Sequence, residues 1–429
     1  MIKNGTFSLV SLGCPKNLVD SEQIVFALKQ TGLNFQTDVD NSELAVLNTC
    51  GFLRSARDEA KEYIRALIGL KKEGRIKKIS VRGCMVKFEG IENLAAEFPD
   101  VDDWGGVPVN GEQEIQNEKW NRTLLTVPHT VYLRIADGCS RRCSFCAIPD
   151  IRGPFRSVPM ETVLREAEHL AANGVKELAV IAQETTFWGT DLCGKPQLTK
   201  LLQKLEEIDG IRWIRLMYSY PQHFEDELIG LFASGGKLLP YIDMPLQHAA
   251  DEMLQRMNRR VTKAETETLL DKLRSAIPNL VLRTSLIAGF PGETEAMFQE
   301  LLRFVERWKF ERAGVFRFSP EKGTPAAVMD QQVPLPVVNR RYEHLYKTCE
   351  KYSTAWANRQ KGKILPVQID GNYVDDSGRK ETHVFIGRTF ADAPDIDPVV
   401  YVTGEKLEQG SLIDVEILET EGCDLVGAV

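Results

Sequence analysis

The apolar and polar positions of this chain fall into three stretches with different periods. In the first hundred residues, short apolar runs alternate with amphipathic ones. FSLVSLG (7–13), LAVLNT (44–49) and KISVRG (78–83) read as buried strands. Between them the pattern predicts a helix capped by Asp20 and Ser21 and running to about Lys29, a second from Ser55 to Leu70, and a third starting near Gly90. Strands separated by helices pair in parallel, so this stretch is a parallel α/β domain. Residues 105–128 lose all period and read as a linker or edge segment.

Alternation then resumes. VYLRIA (131–136), ELAVIA (177–182), WIRLMYS (213–219), YIDMPL (241–246), LVLRTSLIAG (280–289) and AGVFRFS (313–319) are strand-like, with amphipathic helical runs such as 161–172 and 294–308 between them. Six strands suit a (βα) barrel lacking two units, or a wide open sheet. After a helical run at Asn339–Lys361 the helices stop. KILPVQID, THVFIGRTF, PVVYVTG, SLIDVEIL and CDLVGAV are short strands with turn residues between them, which predicts a small antiparallel barrel of the oligomer-binding kind. The chain is thus α/β and multidomain, with expected domains at 1–120, 125–355 and 358–429.

Composition narrows the class. With 43% apolar and 27% charged residues over 429 positions, there is ample material for packed cores. A net charge of −8 argues against a dedicated nucleic-acid binder, which usually carries a basic face. No apolar run is long enough to span a membrane, and MIKNGTFSLVSLG lacks the features of a signal peptide, so the expected location is the cytosol with no membrane partner.

Nine cysteines are an odd number for disulfides. Six of them form two trios: Cys14, Cys50 and Cys84, then Cys139, Cys143 and Cys146. Cys193, Cys349 and Cys423 read as structural or incidental, since a free cysteine behaves as a small hydrophobe. The second trio lies in YLRIADGCSRRCSFCAIPDIRGPFRS, just beyond a strand's carboxyl end, where active sites of parallel α/β folds gather. Thiolates spaced by four and three residues can wrap one corner of a cubane cluster and leave its fourth iron open. A closed zinc site would need a fourth ligand, and the nearest histidines are His129 and His169. The first trio is scattered, yet each member follows a predicted strand. If those strands are parallel neighbours, all three thiols emerge at one edge, with Gly13, Gly51 and Gly83 beside them for tight turns.

The C-x3-C-x2-C loop resembles that of the radical S-adenosylmethionine superfamily. That resemblance implies a [4Fe–4S] cluster held by Cys139, Cys143 and Cys146, whose open iron chelates S-adenosylmethionine and drives its cleavage to a 5′-deoxyadenosyl radical. It also implies cofactor contacts from Phe145, from Gln183 and Glu184 after the second strand, and from Gly289, Pro291, Gly292 and Glu293 in SLIAGFPGETE, where Ser285 stands in place of the family's first glycine. SLGCPKNLVDSE, NTCGF and RGC are in turn similar to the N-terminal domain of methylthiotransferases. In that family Cys14, Cys50 and Cys84 would hold a second [4Fe–4S] cluster carrying the sulfur that is methylated and transferred, and the C-terminal barrel would be a TRAM domain.

Gly-Cys-Pro-Lys-Asn at 13–17, with MPLQHAADEMLQRMNR and IPDIRGPFRS, matches the branch that modifies the β-carbon of an aspartate on ribosomal protein number twelve of the small subunit; Val158 departs from it where an Arg often stands. The alternative is the branch acting on a tRNA adenosine. From Asn358 onward, 7 Lys and Arg against 14 Asp and Glu give −7, which suits a basic protein better than RNA, with ADAPDIDP (391–398) as the expected acidic contact. The resemblance further implies a monomer served by a reductant such as flavodoxin or ferredoxin.

Overall fold

The computed structural model describes all residues except 1–4, 108–121, 375–377 and 379, so most of the predicted linker lies outside the described residues. The chain divides into two compact units. One comprises 1–125, 136–156 and 319–327; the other comprises 126–135, 157–318 and 328–429.

In the first unit a parallel five-stranded sheet has the order Asn34–Phe35, Thr6–Ser11, Leu44–Thr49, Lys78–Gly83, Asp103–Gly105. The three predicted strands are its centre, and two short edge strands carried too few apolar residues to be read. Alternate residues face opposite sides: Ala45 and Leu47 join a cluster with Ala60, Ile64 and Leu67 of the helix Arg54–Lys72, whereas Phe7 packs with Val25 of the helix Pro15–Gln30. That first helix begins five residues before the expected cap. Cys14 is its N-cap, and Pro15 supplies a backbone already set for a first turn. Asp20 and Ser21 are therefore inside the helix and fully buried.

In the second unit six parallel strands form an open sheet, ordered Arg312–Arg317, Val281–Ala288, Leu238–Asp243, Trp213–Leu216, Glu177–Ile181, Thr130–Arg134. The sheet does not close, in keeping with the missing two units. Residues 364–428 make the closed five-stranded barrel, in which Val400–Thr403 and Asp424–Ala428 pair in parallel while the other pairs are antiparallel.

Barrel and sheet are joined within this unit by buried charge. Arg388 forks onto Asp370 and reaches Glu177 at 2.7 Å, and Arg215 donates to the other Glu177 oxygen at 2.9 Å. Arg312 donates to Asp392 at 2.6 Å, Arg283 to Asp397 at 3.2 Å, and Tyr132 to Asp395 at 3.0 Å. This corrects the expectation for ADAPDIDP. Asp392 and Asp397 are turned inward onto strand arginines, so the segment fastens the barrel to the sheet, and only Asp395, which bonds Tyr132, stays exposed. Among the described residues, no helix is long and apolar enough to cross a membrane.

Candidate active site

All six cluster cysteines belong to the first unit. Cys14, Cys50 and Cys84 follow the carboxyl ends of three adjacent strands, and the glycines beside the cysteines determine how closely those ends approach. A Cβ on Gly13 would stand 2.8 Å from the Cys50 Cβ, and one on Gly51 would stand 2.5 Å from the Cys84 carbonyl carbon. Gly13 and Gly83 also hold φ of 99° and 104°, a region open to glycine at little cost. The three cysteine segments therefore touch through positions that admit no side chain.

Polar braces fix the same edge. Asn17 Nδ2 donates to the Leu12 carbonyl at 2.5 Å, and Asn48 Nδ2 donates to the Asn17 carbonyl at 2.9 Å and to Ser21 Oγ at 2.8 Å. Arg57 donates to the Gly51 carbonyl at 3.1 Å and pairs with Glu321 at 2.9 Å. Burial pushes the Cys84 thiol up to about 12 against the pull of Arg152, with Asp20, Cys14 and Cys50 adding to the rise. Burial likewise raises Cys50, with Cys14 adding to it. Cys14 and Cys50 thus act on Cys84, and Cys14 on Cys50, as thiols gathered at one edge would.

The second trio sits on a tight loop. Cys146 N–H bonds the Cys143 carbonyl at 3.1 Å, and Cys139 N–H bonds the Gly153 carbonyl at 3.1 Å. Phe145 is half-buried between the last two cysteines. The loop is pinned by Ala326, whose N–H reaches the Ser144 carbonyl at 2.8 Å. It also leans on the first trio: Cys84 packs in one apolar cluster with Ala147 and Ile151.

All nine cysteines are free thiols. Among the described residues no three His, Cys, Asp or Glu side chains gather as tightly as around a single metal ion. A cubane of four irons is larger than one ion and spreads its thiolates further. Three convergent thiols in a glycine-lined recess, and three more on one turn, fit that group.

The remaining candidates lie in the second unit. Gln183 and Glu184 follow the strand Glu177–Ile181, and Gly289–Glu293 follow Val281–Ala288, so both stand at the carboxyl edge of the sheet with two strands between them. Glu293 is buried, and its carboxylate accepts from the Gly289 N–H at 2.9 Å and from Arg341 at 2.8 Å, with His248 at 3.2 Å. Gly289 and Gly292 have φ of 80° and 83°. The side chain of Glu293 thus locks this turn. A surface cleft of about 920 Å³ is lined by Leu164, Glu168, Ala171 and Lys204 on the outer helices and holds none of these residues.

Sequence reading passed over Arg152, Asp20 as a charged partner, Arg57 and Glu321. Arg152 stands in the quoted IPDIRGPFRS run, but nothing in its local pattern shows that it reaches Asp20 and Cys84, 132 and 68 residues away.

Residues 133–305 match the radical SAM superfamily, 6–106 an uncharacterized protein family designated UPF0004, and 361–429 the TRAM domain. A ribosomal protein uS12 methylthiotransferase RimO of Lachnoclostridium phytofermentans is 41% identical over 97% of this chain and 98% of its own length. The chain belongs to the RimO family of radical SAM methylthiotransferases. A RimO of Bacteroides fragilis is 39% identical over the whole of both chains. The fold also resembles the radical S-adenosylmethionine methyltransferase TsrM of Kitasatospora setae, with a TM-score of 0.52 and 15% identity over 76% of this chain and 77% of that one. Membership of the RimO family brings with it S-adenosylmethionine and a [4Fe–4S] cluster as cofactors.

Proposed function

We propose that this chain adds a methylthio group to the β-carbon of an aspartate in ribosomal protein uS12, using S-adenosylmethionine, two [4Fe–4S] clusters and a one-electron donor of the flavodoxin or ferredoxin kind. The observation that carries the reading is the gathering of both cysteine trios in one compact unit, in a chain similar along its length to methylthiotransferases named for that substrate. When bound, the clusters and S-adenosylmethionine supply the power to remove hydrogen from an unactivated carbon and a sulfur to place there.

The residues of the chain divide that work. Cys139, Cys143 and Cys146 would hold the cluster that meets S-adenosylmethionine; Cys14, Cys50 and Cys84 would hold the one that carries sulfur. Each set offers three thiolates, which leaves one iron of each cluster open. Gly13, Gly51 and Gly83 make the recess, and Cys84, Ala147 and Ile151 keep one wall of it apolar. Phe145, on the loop of the radical cluster, would contact the cofactor, as would Gln183, Glu184 and the Gly289–Glu293 turn, with Glu293 holding that turn in shape. The labour falls to segments 1–120, 125–355 and 358–429 respectively for sulfur, radical and substrate side, in a monomer working in the cytoplasm.

Reconstituted enzyme with dithionite, S-adenosylmethionine and purified uS12 tests this. Intact mass of uS12 gains one methylthio group, and nucleosides digested from tRNA treated the same way stay unmodified. Unchanged uS12 beside 5′-deoxyadenosine formation would sink the substrate assignment; no 5′-deoxyadenosine would sink the enzyme reading as a whole.

A further inference from the structure

Arg152 lies on the short helix that follows the radical-cluster loop, and its side chain is 1% exposed. Its guanidinium donates to Asp20 at 2.6 Å, on the helix that Cys14 caps. It donates to both Asp137 oxygens at 3.2 and 3.3 Å, two residues before Cys139. The third contact is with sulfur: Nη2 stands 3.5 Å from Cys84 Sγ. The partners on its faces are therefore two carboxylates and one thiol of the first trio. A guanidinium keeps its charge even here, since the neighbouring anions outweigh the cost of burial.

We propose that Arg152 is a positioning residue that sets the charge of the sulfur-carrying cluster through Cys84, while Asp20 and Asp137 hold it and tie that cluster's edge to the radical-cluster loop. The inference rests on the two-cluster reading. Hydrogen bonds to ligand sulfurs and nearby charge are main levers on the potential of such a cluster, and a cation beside a thiolate favours the reduced state. A donor removed from Cys84 drives the potential down. A carboxylate removed from Arg152 leaves more positive charge for the sulfur and drives it up.

The test uses the full-length chain with Cys139, Cys143 and Cys146 replaced by Ala, so that one cluster remains. Iron and sulfide content are measured, and the midpoint potential is followed by electron paramagnetic resonance in a redox titration. Arg152→Gln is expected to shift the potential negative, and Asp20→Asn to shift it positive. Arg152→Lys keeps the charge but loses the fork, and should fall between wild type and Arg152→Gln. Opposite signs are what a merely structural role would not produce, because loss of packing would disturb both variants alike. Should Arg152→Gln fail to fold, Asp20→Asn and Arg152→Lys still carry the test. A parent that binds no iron overturns the two-cluster reading and this proposal with it. A parent that binds iron, with potentials that do not move or that move in one direction in all variants, overturns the proposal alone.

Discussion

Two buried arginines in this molecule are held in nearly the same way and do different things. Arg388 is gripped by Asp370 through a two-pronged fork and by Glu177 at 2.7 Å, with a further bond to Thr130 Oγ1 at 3.0 Å. Arg152 is gripped by Asp20 and Asp137, and its remaining contact is Cys84 Sγ. At Arg388 every neighbour is oxygen, and Glu177 is shared with Arg215, so the set closes on itself as a fastening between barrel and sheet. At Arg152 one direction is left for sulfur. Buried ion pairs have no fixed meaning; the difference lies in what the last donor faces.

The largest expected effect removes what Arg152 faces. The triple variant Cys14→Ala, Cys50→Ala, Cys84→Ala should make no methylthiolated uS12 at all and lose about half the iron, with three of the six ligands gone. Cleavage of S-adenosylmethionine should continue. Full iron content in that variant, measured against the wild type, would show that the trio holds no cluster.

The next effect breaks the other arginine. Arg388→Met leaves Asp370 and Glu177 short of a cation and should destabilise the second unit by about 3–5 kcal/mol. Denaturant midpoints followed by circular dichroism measure it, while the visible absorbance of the reconstituted clusters stays as in the wild type. The fastening also has a pH signature. Burial tends to raise the carboxyls of Glu177 and Asp370, but Arg388 and Arg215 on the one, and His129 and Arg388 on the other, hold both below their usual range. A depressed folded value means stability that is fully present above the unfolded pKa, about 4, and lost as pH falls through the folded one. Melting temperature should therefore hold from neutral pH down to about 4 and then drop, and the drop should be shallower in Arg388→Met, whose carboxyls lose the cation that holds them down.

A smaller change probes the glycine recess. Ala at position 51 puts a Cβ 2.5 Å from the Cys84 carbonyl carbon, and backbone there cannot step aside. Overpacking of this kind costs about 1–3 kcal/mol, and part of the iron should go with it. Gly69, inside the helix Arg54–Lys72 with nothing near its Cβ, is the control: Ala there should stabilise by about 0.5–1 kcal/mol and leave iron content alone. Equal iron loss in both variants would dissolve the distinction.

What the residue pattern could reveal followed from range. The strand ends at Cys14, Cys50 and Cys84 were legible because apolar runs mark strands locally and parallel pairing brings their ends to one edge. The six sheet strands and five barrel strands were legible for the same reason. The helix start at Pro15 was misplaced because Asp20 and Ser21 look like caps, whereas one pairs with Arg152 and the other with Ser11 and Asn48. Charge was read least well. Asp392 and Asp397 find Arg312 and Arg283 across 80 and 114 residues, and no local pattern announces such partners. A run of acids in a polar segment looks like solvated surface until the tertiary structure supplies its cations.

That misreading leads to the smallest effect, which asks which acids of the barrel still face outward. Asp392 and Asp397 are turned inward onto Arg312 and Arg283, while Asp395 bonds Tyr132 and stays exposed. On the strand Leu412–Glu421, by contrast, Asp414 and Glu416 are exposed and lie opposite Pro366 and Ile364 of the neighbouring strand, with Leu412 and Leu418 also exposed on the same strand. Charge on an exposed rim acts mainly on the rate of encounter and is screened by salt. Asp414→Lys with Glu416→Lys should therefore lower kcat/KM for uS12 a few-fold at low ionic strength, less at high salt, with kcat and melting temperature unchanged. Asp392→Asn should do the reverse, lowering the melting temperature with little change in the salt dependence of kcat/KM, because its carboxylate meets an arginine and never the substrate. If the outward pair had no salt-dependent effect, the acidic balance of the barrel would say nothing about its partner, and the same charge count would have to be ascribed to the fastening alone.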